Sequence, residues 1–371
     1  MKKILFLFGT RPEAIKMAPL IKSFQKDLAF TVKVGVTAQH REMLDQVLSF
    51  FEIKVDYDLN IMTHNQTLQD LTANLIARIS NEILLKEAFD YVFVQGDTTT
   101  VLASALSAFY QKIKIVHIEA GLRSGDMYNP FPEEMNRVLT SRLADFHFCP
   151  TENSRINLLS ENISKNVFVV GNTVIDALLL GLEKVKKTSE DLLIKKYKSI
   201  DFTKKIVLIT CHRRENFGAP FKEICDAVLE IATNFENEVQ IVYPVHLNPN
   251  IKEVAFNLLK KDNIKLIDPL EYPELIWMMS KSYIILTDSG GIQEEAPSLG
   301  KPVLVLRTVT ERTEGVDAGT AILVGSNKEK IVSECSKLLS DKNYYSKISV
   351  TSNPYGDGST CEQVKKTLLT F

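Results

Sequence analysis

Short continuous apolar runs alternate along this chain with segments whose apolar residues recur every three or four positions. The run Ile4–Phe8 opens the series, bounded by Lys3 on one side and Gly9-Thr10 on the other. Such a run reads as a strand buried on both faces. Behind it Ala14, Met17, Ala18 and Ile21 stand at i, i+3, i+4 and i+7, one stripe of a helix that belongs to the core. The alternation repeats through VKVGV, YVFVQ, IKIVHI, FHFCP and VFVVG, the pattern of a parallel sheet covered by helices. A charged stretch, EKVKKTSEDLLIKKYKSIDFTKK, follows GNTVIDALLLGL. The alternation then restarts at KIVLIT and continues through VQIVYP, IKLID, YIILTD and KPVLVL. Near the end, NPYGDGST is a turn-rich break before a last amphipathic segment, CEQVKKTLLTF. The expected fold class is α/β, two doubly wound domains in tandem. A crevice between the carboxyl ends of their strands is where ligands of open α/β sheets bind.

Length and composition agree with two cores. The chain has 371 residues, 45% of them apolar and 24% charged, which predicts a globular, soluble protein. A net charge of -2 gives no general attraction for nucleic acid or an anionic membrane, so any anion site must be local. The apolar start ends at Phe8 with Arg11 close behind, which argues for a first strand and against a secretory leader. No segment approaches the roughly 20 apolar residues that a membrane span requires. The five cysteines, Cys149, Cys211, Cys225, Cys335 and Cys361, are scattered and lack metal-ligand spacing. They predict reduced thiols in a cytoplasmic protein.

Candidate chemistry collects where the strands end: Gly9-Thr10-Arg11-Pro12-Glu13, Gln95-Gly96-Asp97-Thr98, His117-Ile118-Glu119-Ala120-Gly121, Cys211-His212-Arg213-Arg214-Glu215 and Asp288-Ser289-Gly290-Gly291. In YIILTDSGGIQEEAPSLGKPVLVL a strand ends and a helix begins, so Ser289 and the amides of Gly290 and Gly291 form a candidate phosphate cradle. Glu294 or Glu295, one turn on, can accept from ribose hydroxyls. The plainer reading is a glycine turn with Ser289 as N-cap and solvated glutamates. Arg11 is placed to grip a diphosphate bidentately, or else to pair with Glu13 at the surface. His212, Arg213 and Arg312 are further cationic donors, although a run such as HRRE is often a solvated face.

Several longer motifs carry a resemblance: FGTRPEAIKMAPL, TAQHREMLDQVL, GDTTT, HIEAGLRSGD, PEEMNR, GNTVIDAL, HRRENFG, YPVHLNPN, DSGGIQEEAPSLGKPVLV and NPYGDG. Together, from Met1 to beyond Gly356, the chain resembles the non-hydrolysing UDP-N-acetylglucosamine 2-epimerases. The resemblance implies a GT-B-like pair of Rossmann-like domains with an interdomain cleft. Residues 1–171 form the first, with a C-terminal helix of about 357–371 packing back on it, and 172–356 form the nucleotide-binding second. It also implies reversible interconversion of UDP-GlcNAc and UDP-ManNAc with no metal or NAD, a supply of ManNAc units for surface polysaccharide, and a homodimer. No nucleic-acid or membrane partner is expected.

Carried over residue by residue, the resemblance makes Asp97, Glu119 and Glu133 the candidate acid and base, with Lys16 touching substrate. Arg11, His212, Ser289, Gly290, Gly291 and Arg312 would hold the diphosphate, His212 within the catalytic set. Glu295 would take the ribose, and Leu270 and Leu275 the uracil. Gln39, Gln66, Glu133, Arg214 and His246 fall at or near the contacts of a second, activating UDP-GlcNAc. For each of Asp97, Glu119 and Glu133 the alternative is a carboxylate that caps the next helix or pairs with a lysine such as Lys16, and capping is the stronger alternative at Asp97, which precedes three threonines. Other functional readings of the same cradle are a hydrolysing epimerase, a GT-B glycosyltransferase with a UDP-sugar donor, and a catalytically silent nucleotide-sugar sensor. A transferase needs one base and an acceptor groove, whereas several carboxylates stand at these strand ends.

Overall fold

Ile4 to Phe8 are fully buried in the first strand, β1 (Lys2–Phe8). The computed structural model describes residues 1–38, 41–62, 66–349 and 351–371. The chain divides into two units, Met1–Ala177 with Gly356–Phe371, and Leu178–Tyr355. In the first unit β1 is joined by β2 (Phe30–Val36), β3 (Tyr57–Asp58), β4 (Tyr91–Gln95), β5 (Lys114–Ile118), β6 (Phe146–Cys149) and β7 (Val167–Val169). Among the described residues these form a seven-stranded sheet in the order β3-β2-β1-β4-β5-β6-β7. Every neighbouring pair is parallel, with Phe6 opposite Val34 and Val94 opposite His117. Strand order reverses between β1 and β4, so the loops after those two strands diverge there and leave the opening characteristic of doubly wound sheets.

The second unit repeats the plan. Its strands are β8 (Lys205–Thr210), β9 (Val239–Pro244), β10 (Ile264–Ile267), β11 (Ile284–Thr287), β12 (Val303–Val305) and β13 (Ala321–Leu323). They pair in parallel in the order β10-β9-β8-β11-β12-β13. Here the reversal falls between β8 and β11. The fold class is therefore as expected, two Rossmann-like doubly wound α/β domains.

Helices close both sheets through the predicted stripes. Ala14, Met17, Ala18 and Ile21 are all fully buried on the helix Arg11–Gln25. Phe24 from that helix meets Phe6 and Phe93, whose own rings are 4.6 Å apart. Each such buried side chain contributes roughly 1.5–3 kcal/mol. The C-terminal helix Thr360–Leu369 belongs to the first unit. There the Cys361 amide donates to Asp176 Oδ1 at 2.9 Å and Ser23 Oγ to Glu362 at 2.7 Å. All five cysteines are free and buried. Among the described residues no helix is long and apolar enough to cross a membrane.

Candidate functional site

In the first unit the polar groups gather at the strand-order reversal. Thr10 caps the helix Arg11–Gln25 in a capping box with Glu13, and Pro12 fits its first turn. Glu13 is 2% exposed. It accepts from the amides of Gly9 at 2.8 Å and Thr10 at 2.6 Å and from Thr98 Oγ1 at 2.6 Å. Burial nonetheless pushes its carboxyl above the ordinary carboxylate range. Glu13 is thus committed to the turn and is no surface partner for Arg11. Arg11 itself is exposed and forms no ion pair with the described residues.

At the end of β5 Glu119 has φ +62°, a left-handed conformation that a non-glycine residue adopts only at a cost. Its carboxylate is buried against three donors. Lys16 Nζ lies 2.7 and 2.5 Å from its two oxygens, Asn172 Nδ2 donates to Oε1 at 3.1 Å, and Gln95 Nε2 donates to Oε2. Two residues on, Gly121 has φ +88°, and a Cβ there would sit 2.1 Å from the Ser154 carbonyl oxygen. The turn that presents Glu119 therefore requires glycine. His117, fully buried, donates from Nε2 to the Gly96 carbonyl at 2.8 Å. Desolvation holds this imidazole neutral, with its pKa lowered to about 3.

Asp97 follows β4. The cap of the next helix, Thr99–Tyr110, is Thr98, which accepts from the Val101 amide, so the capping alternative for Asp97 does not hold. Its carboxylate is ion-paired with Arg137, whose Nε lies 3.1 Å away. Asn136 Nδ2 donates to the Asp97 carbonyl at 2.9 Å. Glu133 begins the helix Glu133–Leu143 and is half-buried. Its neighbour Glu134 is buried, accepting from the amides of Ser124 and Gly125 and from Arg137 Nη1 at 3.0 Å. Arg137 thus couples a carboxylate that shapes the loop to one that faces outward.

In the second unit the same position holds a different chemistry. Asp288, fully buried at the end of β11, accepts at Oδ2 from the amides of His212 (2.9 Å) and Arg213 (2.8 Å) and from Asn216 Nδ2 (3.0 Å). The His212 ring lies with Nδ1 3.4 Å from Asp288 Oδ1 and is stacked on His246 at 5.7 Å. Ser289 is the N-cap of Gly290–Glu295, yet its hydroxyl makes no cap hydrogen bond. The Arg312 guanidinium carbon lies 3.5 Å from where a Cβ on Gly290 would be. Arg312 Nε donates to Glu294 at 2.7 Å. Both glutamates are buried, Glu294 3% and Glu295 6% exposed, so neither is a solvated face. Glu294 is paired with Arg312, and Glu295 ends the same short helix, Gly290–Glu295. Leu270 and Leu275, both half-buried, flank the start of the helix Tyr272–Lys281.

The first unit thus brings Lys16, Asp97 and Glu119 to the open ends of strands at one reversal, and the second unit brings His212, Ser289, Gly290 and Arg312 to the other. Of the residues singled out for a second ligand, Gln39 lies outside the described residues. The buried amide of Gln66 has no partner among them, and Arg214 is exposed in the short turn Arg214–Asn216. Gln95 and Asp288 stood among the strand ends singled out but were given no role, while Asn172, Arg137 and Glu134 escaped the sequence reading as site residues. Arg137 stands within PEEMNR and Asn172 within GNTVIDAL, so the motifs held them without showing what they touch. Among the described residues no three His, Cys, Asp or Glu side chains cluster as a metal site.

Two doubly wound parallel sheets, each with ionisable groups at its strand-order reversal, define a two-domain α/β enzyme of the GT-B-like class. A family model described as UDP-N-acetylglucosamine 2-epimerase matches residues 22–369. The UDP-N-acetylglucosamine 2-epimerase of Escherichia coli K12 is 54% identical over 370 residues, covering 99% of this chain and 98% of that one. A crystal structure of the Neisseria meningitidis UDP-GlcNAc 2-epimerase bound to UDP-GlcNAc superposes with TM-score 0.89 at 53% identity, covering all of both chains. One from Methanocaldococcus jannaschii in complex with UDP-GlcNAc and UDP gives 0.79 at 36%, again over both whole chains. The chain belongs to the UDP-N-acetylglucosamine 2-epimerase family, and by that membership is an isomerase.

Proposed function

We propose that this chain interconverts UDP-GlcNAc and UDP-ManNAc by eliminating UDP and adding it back. The hydrogen at C2 of the sugar is barely acidic, because its carbon adjoins an acetamido nitrogen and no carbonyl. Departure of UDP changes that. As the C1–O bond breaks, its electron pair leaves on the phosphate oxygen and positive charge develops at C1. A carboxylate then takes the C2 proton, leaving 2-acetamidoglucal and UDP. On return the phosphate oxygen bonds to C1 and C2 receives a proton on its opposite face. Two faces call for two proton-handling groups, or one group and a water. The exchange is redox-neutral and calls for no nicotinamide.

The observation that carries this reading is the setting of Glu119, a buried carboxylate in a costly backbone conformation, held by Lys16, Gln95 and Asn172. Asp97 and Glu133 are the other acid–base groups. Arg11, His212, Ser289, Gly290, Gly291 and Arg312 would hold the diphosphate, Glu295 the ribose, and Leu270 and Leu275 the uracil. Under this reading the product supplies ManNAc units for surface polysaccharide, and the enzyme is a cytoplasmic homodimer. A second UDP-GlcNAc engaging Gln39, Gln66, Arg214 and His246 would make UDP-ManNAc react slowly until a trace of UDP-GlcNAc is added.

The deciding experiment is epimerisation in heavy water followed by proton NMR. Deuterium at C2 of the product is expected. Product that keeps the original hydrogen would refute proton exchange, and free ManNAc would replace the reading with a hydrolysing epimerase.

A further inference from the structure

The Asp288 carboxylate is the most enclosed ionisable group beside the strand end that carries His212. Oδ2 takes three hydrogen bonds, from two successive backbone amides and from Asn216. Asn216 itself is anchored by a second donation, to the Leu306 carbonyl at 3.2 Å. This oxygen holds the loop. Oδ1 is buried without a hydrogen-bond partner among the described residues, and Nδ1 of His212 approaches it to 3.4 Å. The side chain of His212 is 46% exposed, while that of Asp288 is 0% exposed. One end of the imidazole is therefore set against a buried acceptor, while one face is stacked on His246 and the side chain is partly exposed.

We infer that Asp288 is a positioning residue that keeps a proton on His212 Nδ1 and holds the ring as an imidazolium, so that Nε2 faces a ligand phosphate as a charged donor. A carboxylate accepts only, so an Nδ1 placed beside it carries hydrogen. A neutral ring in that tautomer would present a bare lone pair at Nε2 and repel a phosphate oxygen. The doubly protonated ring satisfies Asp288 and an anion together, and a charge-assisted hydrogen bond is about twice as strong as a neutral one. His246, stacked on the ring, and Cys211, Arg213, Arg214 and Glu215, its neighbours along the chain, are further titratable groups. Glu215 is paired with Arg307, whereas the Asp288 carboxylate approaches the ring itself. The inference rests on the reading of His212 as a diphosphate ligand, and it adds the residue that sets the state of that ligand.

Nitrogen-15 NMR of the histidines in the wild-type protein, with His212 assigned from H212F, tests it directly. At neutral pH both ring nitrogens of His212 are expected to show protonated shifts, at a pH where a free imidazole is mostly neutral. An Nδ1 that is unprotonated overturns the inference, and this measurement needs no folded variant at position 288. UDP is then added. If no His212 signal moves, the diphosphate reading of His212 fails, which is a separate outcome. In D288N the amide would donate to Nδ1, and the ring would become a neutral Nε2–H tautomer. UDP affinity should fall on the order of tenfold, with no further loss when D288N is placed in an H212F background. N216A removes a donor from Oδ2 without touching the ring. A purely structural role for Asp288 predicts the same affinity loss and the same nitrogen shifts in N216A and D288N. The inference predicts wild-type His212 shifts in N216A.

Discussion

Lys16 Nζ lies 2.7 and 2.5 Å from the two carboxylate oxygens of Glu119, across 103 residues of sequence. The ammonium and the carboxylate are both largely buried, 16% and 5% exposed at the side chain. This pairing anchors the positive-φ turn at Glu119 and sets an opposite charge against its buried carboxylate.

Lys16→Met should therefore destabilise the first unit, because the buried Glu119 carboxylate would lose its cationic partner while Gln95 and Asn172, which also donate to it, carry no charge. Removing one partner of a buried pair costs about 3–5 kcal/mol. Urea unfolding followed by circular dichroism measures this, and epimerisation by the folded fraction should fall in parallel. An unchanged midpoint would mean that the two amides suffice to hold the charge.

Acid should weaken the same region through two histidines. Burial lowers the pKa of His117 to about 3 and of His147 to about 4, and the two lie opposite each other in β5 and β6. Below the ordinary value near 6.5 the unfolded chain binds protons that the folded chain refuses. Stability is thus full above that pH and lost as pH falls toward the folded values. From pH 7.5 to pH 5 each histidine contributes a loss of about 2 kcal/mol. His147→Gln should flatten this acid limb by about half. An equally steep loss in the variant would place the sensitivity elsewhere.

Arg11 differs from these buried groups. It is exposed and forms no ion pair with the described residues, so Arg11→Ala should change stability by no more than about 0.5 kcal/mol. Its loss should still weaken UDP binding, by about 1.5–3 kcal/mol for a charge-assisted contact. Calorimetric titration with UDP checks both halves of the contrast. Unchanged affinity would remove Arg11 from the diphosphate set.

The strands were legible wherever a run is apolar at every position, as at Ile4–Phe8, because burial on both faces leaves no place for a polar residue. Tyr57–Asp58 and Ala321–Leu323 were not recognised. They are edge strands of two and three residues, with half-exposed positions and too short for any period. The site was legible as a set of strand ends but not as a set of contacts. Adjacent carboxylates such as Glu133 and Glu134 look alike in sequence, and only the helix start decides that Glu134 turns in to hold the Ser124 and Gly125 amides. The Asp97 side chain, open to a capping role in sequence, is drawn off by Arg137 forty residues away. Asn172 meets Glu119 through pairing of strands that no local pattern encodes.

Those contacts sharpen what the acid–base variants should do. Asp97 faces a guanidinium, Glu119 an ammonium and two amides, while Glu133 stands half-buried at a helix start. Asp97→Asn, Glu119→Gln and Glu133→Gln each keep shape and remove proton transfer, and at least one should slow epimerisation by roughly 10²-fold or more. The two epimers carry the C2 hydrogen on opposite faces. A variant that lacks the base for one face cannot take the proton from that epimer, yet it can still eliminate UDP from the other. It should then convert one UDP-sugar alone to 2-acetamidoglucal and UDP, since the glucal cannot be protonated onward and escapes. Mass spectrometry of reactions started separately from UDP-GlcNAc and UDP-ManNAc would detect the asymmetry and assign each carboxylate to its face. If all three variants slow both directions equally and none releases glucal, a single group serves both faces with water, and the two-carboxylate mechanism is wrong.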